Sequence, residues 1–455
     1  MKNTPLTHPP GGIREMLHLG LPMMASNACE TIMTATDRYF LSQLGPEHMA
    51  AAMGGGIFSF TMMSFFIGIF GYSTAMVAHQ YGAKNHKGCF QVTFHTLIIA
   101  VLAYPVIVML APIGAWSFSR WGLEAEQLRH QNLYFNVLCY GSIIPMLRIS
   151  LGNFFGGIGK TRIVLCASLV TMVSNIGTNY ILIFGKWGFP ALGIQGAAYG
   201  TLLAGVFGVM TLLIFLIQPQ YALAYAPLEA CRISKKVFFR LLRFGSPAGL
   251  ELFLNVLAFG FIVSIFQSHS LVTATAITIV FNYDMLAFIP LIGLEISVTS
   301  LVGRYVGAKQ LDTAHASVVS AFKLGMIFCL MVGFAFAIFP EVLIRVFEPT
   351  HLDSNFQEAL PLATTMLRVA SIYVLVEALM LVYSGALRGA GDTFWSMIIS
   401  VVSHWTLVLV LYVGLNVLSW SPQQAWGLLT VIFMFLSSAF YFRYRTGKWR
   451  TIQIQ

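Results

Sequence analysis

The chain is short of charge. Only 9% of its 455 residues are Asp, Glu, Lys or Arg, and just 17 of these are acidic. A soluble domain carries about a quarter charged residues, so a water-solvated globule is excluded. The six cysteines (Cys29, Cys89, Cys139, Cys166, Cys231 and Cys329) show no CxxC spacing, and several sit inside apolar runs. They read as small packing residues, neither disulfides nor metal ligands. No P-loop, Gly-rich dinucleotide turn or HExxH is present, so no enzymatic chemistry is expected. The first dozen residues, MKNTPLTHPPGG, lack the apolar core and cleavage site of a signal peptide, and the first helix is expected to direct insertion itself. The net charge of +9 could point to nucleic acid, but its placement argues otherwise.

Hydrophobic residues make up 57% of the chain, and they fall in runs long enough to cross ~30 Å of hydrocarbon as helices. Unpaired backbone groups are costly in lipid, so this pattern permits only helices. Twelve spans are expected, near 14–42, 50–80, 90–117, 130–156, 162–185, 191–217, 238–266, 272–305, 314–343, 360–386, 394–417 and 424–442. Lys and Arg sort between alternate loops. One side takes Arg14, Lys84, Lys160, Arg304, Lys309, Arg388 and Arg445 among others; the opposite side takes Arg120, Arg129, Lys186, Arg345 and little else. The positive-inside rule then places both termini in the cytoplasm. The basic excess is a topology signal, and no nucleic-acid partner is expected.

The chain repeats itself. LHLGLP at 17–22 matches LRFGSP at 242–247, and VAHQYGAK at 77–84 matches VGRYVGAK at 302–309, both at an offset of 225 residues. FGGIGKT at 155–161 matches LRGAGDT at 387–393 at an offset of 232. Each half holds six helices, so the repeats share orientation, as in transporters whose substrate path runs between two lobes. The expected division is a first lobe over 1–225, a cytoplasmic linker over 226–240 and a second lobe over 241–455.

The motifs GLP, DRYFLSQLGPEHMAA, QYGA, GGIGKTR, NYILIFGKWGFPALGIQGAAYGT, VGRYVGA and ALRGAGDT, in this order and spacing, resemble the multidrug and toxic compound extrusion (MATE) family near its NorM-like members, over essentially the whole chain. The resemblance implies an all-α, V-shaped antiporter of twelve transmembrane helices in two six-helix lobes. It would sit in the inner membrane, as a monomer, and export amphiphilic, often cationic compounds in exchange for inward H⁺ or Na⁺ by alternating access. No cofactor is implied beyond the coupling ion. An exporter or flippase of lipid-linked or natural-product substrates, from the same superfamily, is the alternative; the acids inside the membrane speak against its more cationic cavity. A facilitator of two six-helix halves lacks its basic Asp-Arg-Gly-Arg type loop here.

An acid at the centre of a membrane helix costs ~2.5–3.5 kcal/mol and so requires a partner, a proton, a cation or water. Glu377 lies eleven residues before Arg388, ~16 Å inside the boundary that Arg388 should mark, and Glu251 lies eight residues beyond Arg243, ~12 Å deep. Two carboxylates on one cavity share a proton or recruit a cation, and the family carries acids at both positions. The structural reading is an acid bonded to a hydroxyl such as Tyr383 or Ser384. Asp37 ends the first apolar run beside Arg38 and reads as a solvated helix end, but it matches the family's first-lobe cation and proton residue. Asn175 and Asn179 are four apart, hence on one helical face, and with Thr201 could meet Asp37 in an oxygen-rich pocket or serve as interhelical glue. Many relatives hold Asp where this chain has Asn179, which weakens the case for Na⁺. Sodium is a candidate at Glu251, Glu377 or Asp37. Asp284 and Glu295 share a face three turns apart; they and Glu30 are candidates for the substrate or proton path, or for pairing with a base such as Arg148. Pro22 and Pro247 hold equivalent places in the repeats and are candidate bends. His95 and His404 read as packing residues.

Overall fold

A computed structural model describes residues 9–120, 123–348 and 354–452, and among them it holds helices and no strand. The first half contains α1 (Ile13–Ser42), α2 (Pro46–Gly82), α3 (His86–Phe118), α4 (Ala125–Tyr140), α5 (Ile143–Gly157), α6 (Thr161–Phe184) and α7 (Ile194–Ile217). Two short helices, α8 (Pro219–Tyr225) and α9 (Pro227–Ala230), lead to the second half. That half contains α10 (Lys235–His269), α11 (Leu271–Gly307), α12 (Leu311–Ile338), α13 (Pro340–Arg345), α14 (Ser354–Gly389), α15 (Thr393–Asn416) and α16 (Pro422–Arg445), closed by a 3-10 turn at Lys448–Thr451. Helix α10 thus begins inside the segment expected as a linker, where the Ser234 hydroxyl accepts from Val237 N at 3.5 Å as its N-cap.

Ten of these helices are long and apolar enough to cross a membrane, and α4 with α5 passes as an eleventh, bent pair. The remaining long helix is α1, which carries Arg14, Glu15, Glu30, Asp37 and Arg38. Two expected spans are broken. The fourth bends by 48° between Tyr140 and Ile143, because Pro145 has no N–H to give the Gly141 carbonyl four residues back and its ring crowds that group. The ninth stops at Phe339, and Pro340 opens a separate helix, α13.

The duplication reaches down to single hydrogen bonds. After α2, Asn85 N donates to the Gln80 carbonyl at 2.8 Å; after α11, Gln310 N donates to the Tyr305 carbonyl at 2.7 Å. The lysines before them, Lys84 and Lys309, both adopt left-handed backbone, with φ of 58° and 60°. At the other matched turn, Lys160 N to Phe155 O and Asp392 N to Leu387 O are each 2.8 Å. Gly159 and Gly391 there have φ of 76° and 88°, a region that disfavours any Cβ.

The halves meet where α2 packs on α10 and α11, and α1 on α11. Helices in lipid gain little from burying apolar surface, so they associate by close approach of small residues. A Cβ on Gly68 would stand 2.5 Å from the Ala248 carbonyl, one on Gly293 would stand 2.6 Å from Met24 N, and one on Gly307 would stand 2.2 Å from the His79 carbonyl. Polar contacts follow the same seam: Tyr305 Oη donates to Glu15 Oε2 at 2.6 Å, Arg304 reaches Glu15 Oε1 at 3.5 Å, and Ser300 Oγ donates to the Gly156 carbonyl at 2.8 Å. These contacts cluster toward the end of the helices that carries Lys84, Lys160 and Lys309, which we call the basic end. Pro22 and Pro247 both lie in this seam, beside Met23 and Ala248. Each is nine or more residues into its helix, and α1 runs unbroken across the candidate bend at Pro22.

Candidate functional site

The candidate acids lie in one polar pocket of the first half, in an ion pair beside it, and in two groups of the second half. In the first half, α1 supplies Asp37, α6 supplies Asn175 and Asn179, and α7 supplies Thr201. Asn179 Nδ2 donates to Asp37 Oδ1 at 2.5 Å, Thr201 Oγ1 lies 3.5 Å from Asp37 Oδ2, and Asn175 Nδ2 donates to Thr201 Oγ1 at 3.3 Å. The structure brings all four together, and among the described residues no ion pair joins Asp37 to Arg38. Both asparagines are fully buried, and the Oδ1 atom of each has no partner. The approach of α7 is set by Gly200, where a Cβ would stand 1.9 Å from Asn179 Oδ1. Gly200→Ala is therefore expected to displace Asn179 from Asp37 and to lower transport by about tenfold, an effect of ~1.4 kcal/mol, with folded-protein yield unchanged; initial rates in vesicles check this.

Glu30, one face with Asp37, is not free: Arg148 on α5 holds it at 2.8 Å. Its half-exposed carboxylate belongs to an ion pair between α1 and α5.

In the second half, the expected pairing of Glu251 with Glu377 does not form. Helices α11 and α14 run side by side in a register that matches Asp284 to Tyr373 and, eleven residues on, Glu295 to Ser384. The Tyr373 hydroxyl donates to Asp284 Oδ1, and the Ser384 hydroxyl donates to Glu295 Oε1 at 3.0 Å. Ser384 and Tyr383 therefore do not serve Glu377, as the structural reading supposed. Arg388 turns inward instead of marking the surface. Its guanidinium lies 2.9 Å from Glu251 Oε1 on α10 and 3.1 Å from Glu295 Oε1 on α11. One guanidinium thus serves two carboxylates.

Among the described residues Glu377 has no basic partner. It is 3% exposed, and its Oε2 atom is buried without a hydrogen bond. Tyr373, one turn before Glu377 on α14, ties Asp284 in place, and its ring packs edge-on to Trp426 at 5.9 Å. Neither Tyr373 nor the inward turn of Arg388 was singled out in the sequence. For Tyr373 the signal was there, since it stands four residues before Glu377 on the same face. Burying an acid without a hydrogen-bonded countercharge is costly, so this pair is the exceptional feature of the interior. Among the described residues no three of His, Cys, Asp and Glu gather closely enough to hold a metal ion.

The histidines read as packing residues are bonded. His95 Nε2 accepts from Ser234 N at 2.9 Å, and His404 Nδ1 lies 2.8 Å from the Ser400 carbonyl. All six cysteines are free, and four of them are buried.

The MatE family model matches residues 22–181 and 247–413, so the second match begins 225 and ends 232 residues after the first, the two offsets of the internal repeat. A probable multidrug resistance protein NorM of Thermotoga maritima is 27% identical over 449 residues, covering 96% of this chain and 93% of that protein. A crystal structure of MATE in complex with MaL6 shares the fold, with a TM-score of 0.86 at 21% identity over 97% of each chain. So does a multidrug resistance MATE family transporter in an outward-facing conformation, with a TM-score of 0.86 at 20% identity over 96% of each chain. With the family matched across both repeats and the two six-helix lobes in place, the chain is a member of the MatE family of membrane transporters.

Proposed function

We propose that this protein exports amphiphilic, often cationic compounds from the cytoplasm in exchange for a proton moving inward, with Na⁺ as the rival coupling ion. The observation that carries the reading is the placement of Asp284 and Glu377: two buried carboxylates, one held by Tyr373 and the other a turn further along α14, with no ion pair to either among the described residues. Such a pair holds one proton or one cation well, and neither two charges nor none. The cluster around Arg388 is different, because its arginine is a cation that never leaves. Glu251 is in this account a structural partner of Arg388, and the coupling role expected for it passes to Asp284.

The nearest polar groups argue for the proton. Asp37 faces an amide N–H and a hydroxyl, and Asp284 faces the Tyr373 hydroxyl. Around Asp284 this leaves a single hydroxyl oxygen beside the carboxylates, few for a metal ion's shell, while the partnerless Oδ1 atoms of Asn175 and Asn179 keep Na⁺ the rival at Asp37. Asn179, neutral where many relatives are acidic, speaks for the proton.

The basic end faces the cytoplasm in this proposal, with both termini there, the protein a monomer in the inner membrane. The seam at that end then closes the cytoplasmic side, and the lobes, 1–225 and 241–455, part toward the outside. A proton arriving from outside neutralises an acid, a cationic substrate loses its counter-charge and departs, and the lobes rock about the seam. Each charge crossing the membrane carries ~2.3 kcal/mol per 100 mV, enough for export against a severalfold gradient.

The test is efflux of a fluorescent cationic dye from proteoliposomes, driven by an inward-directed jump in either H⁺ or Na⁺. The proton reading expects the acid jump alone to drive efflux. Efflux under the Na⁺ jump at constant pH would replace the proton by sodium; no response to either would end the antiporter proposal.

A further inference from the structure

At the basic end of the second lobe, a cavity of about 500 Å³ opens between α12, α14, α16 and the closing 3-10 turn. It shares no residue with the acid clusters. Its walls are aromatic. Tyr444 stacks on Trp449 with ring centroids 5.2 Å apart and planes 10° from parallel. The Tyr444 hydroxyl lies 2.8 Å from His315 Nδ1, which pins α16 to the first turn of α12. Tyr383 closes the inner wall, its ring 5.4 Å from that of Tyr441 and 5.1 Å from that of Tyr444. Among the described residues the hydroxyls of Tyr383 and Tyr441 have no hydrogen-bond partner.

Two arginines complete the lining. Arg450 lies over the Trp449 ring at 5.3 Å and 3.7 Å from Asp312, whose side chain is almost wholly exposed. An exposed pair at that distance contributes little. Arg445 is exposed, and among the described residues it has no ion pair. A cage for a cation would need the same ring faces without guanidinium groups beside them, so a cationic ligand is excluded. Guanidinium groups and free phenol hydroxyls converging on one cavity are instead donors for a multi-oxygen anion.

The place of the cavity narrows the ligand further. It lies where α12 begins and α16 ends, which on the proposed topology is the level of lipid headgroups rather than the hydrocarbon. Beside it, Phe442 follows Tyr441 and is 62% exposed, and Val319, one turn beyond His315 on α12, is also exposed. A phosphate with acyl chains would find donors for its oxygens in the cavity and apolar side chains for its tails beside it. Basic pockets among membrane helices on the side of the anionic leaflet recognise such headgroups.

We infer that this cavity binds the phosphate of an anionic phospholipid, with Arg445 and Arg450 on its oxygens, Tyr441 donating a further hydrogen bond and the aromatic rings flanking the glycerol. The inference is independent of the coupling ion. Its ligand chemistry, a phosphate, could also be satisfied by a soluble phosphate, and the test separates the two.

The full chain, purified in detergent, is titrated with phosphatidylglycerol or with phosphatidylcholine of the same chains and read by native mass spectrometry. The wild type is expected to retain phosphatidylglycerol about tenfold better than phosphatidylcholine, a preference of the size charge-assisted hydrogen bonds supply. Arg445→Ala with Arg450→Ala should erase that preference, while Arg445→Lys with Arg450→Lys keeps most of it and Tyr441→Phe lowers it about threefold. Unchanged gel-filtration profiles establish that the variants are folded, and Tyr441→Phe, which removes one oxygen, carries the test if the double alanine variant is not. Equal retention of the two lipids by the wild type, or the same preference in the arginine variant, overturns the site. In a second arm, inorganic phosphate alone is added and the melting temperature measured. A rise in the wild type and not in the double variant, without lipid retention, would assign the cavity to a soluble phosphate and overturn the lipid.

Discussion

Glu377→Gln abolishes dye efflux while the yield of folded protein and its melting temperature stay equal to the wild type or rise. The two halves of this expectation have one cause. Glu377 presents a buried oxygen with no partner, one turn along α14 from the tyrosine that holds Asp284. Replacing it by a neutral amide of the same shape removes a group that is costly to bury, so stability does not fall. It also removes the competition between proton and cationic cargo, so transport stops. A residue that only braced α14 against α11 would give the opposite pattern, with stability lost first. Efflux in proteoliposomes and a thermal melt of the same preparation check both halves, and wild-type transport by this variant would remove Glu377 from the mechanism.

Arg388→Met gives the second large effect, and it is a loss of fold. Arg388 stands 2.9 Å from Glu251 and 3.1 Å from Glu295, so its removal leaves two neighbouring acids inside the protein without their base. Breaking a buried ion pair from one side typically costs about 3–5 kcal/mol, whereas replacing all partners by neutral residues is often harmless. The single variant should therefore fall out of the membrane fraction or aggregate on extraction. The triple variant Glu251→Gln, Glu295→Gln, Arg388→Met should recover folded protein and a melting temperature near that of the wild type. Fluorescence-detected gel filtration of the solubilised membranes distinguishes the cases. If Arg388→Met is as stable as the wild type, the three side chains are not the linked unit described here.

Much of this architecture was legible before any coordinates. The twelve apolar runs, their alternating basic loops and the two repeat offsets follow from counting, and the matched left-handed Lys84 and Lys309 are the same repetition at atomic scale. The grouping of Asp37 with Asn175, Asn179 and Thr201 was also within reach, because helices crossing one bilayer place side chains of equal depth near each other. What depth does not give is direction. A helix turns 100° per residue, so Glu251 and Glu377 at similar depths face different neighbours once α10, α11 and α14 settle into their rotations. Arg388 misled for a related reason. Counting it as a marker of the water boundary was sound for topology, but its long side chain reaches back along α14 to two acids. The break in the fourth span was readable from Pro145; the apolar run around it concealed the stop.

The central claim is that a proton held by the Asp284–Glu377 pair is exchanged for cationic cargo, and proton release on substrate binding measures it most directly. Purified wild-type protein in weakly buffered solution, mixed with a cationic substrate, should release about one proton per bound molecule, and Glu377→Gln should bind with release close to zero. Equal release by the two proteins, or none by the wild type at saturating substrate, would contradict the account.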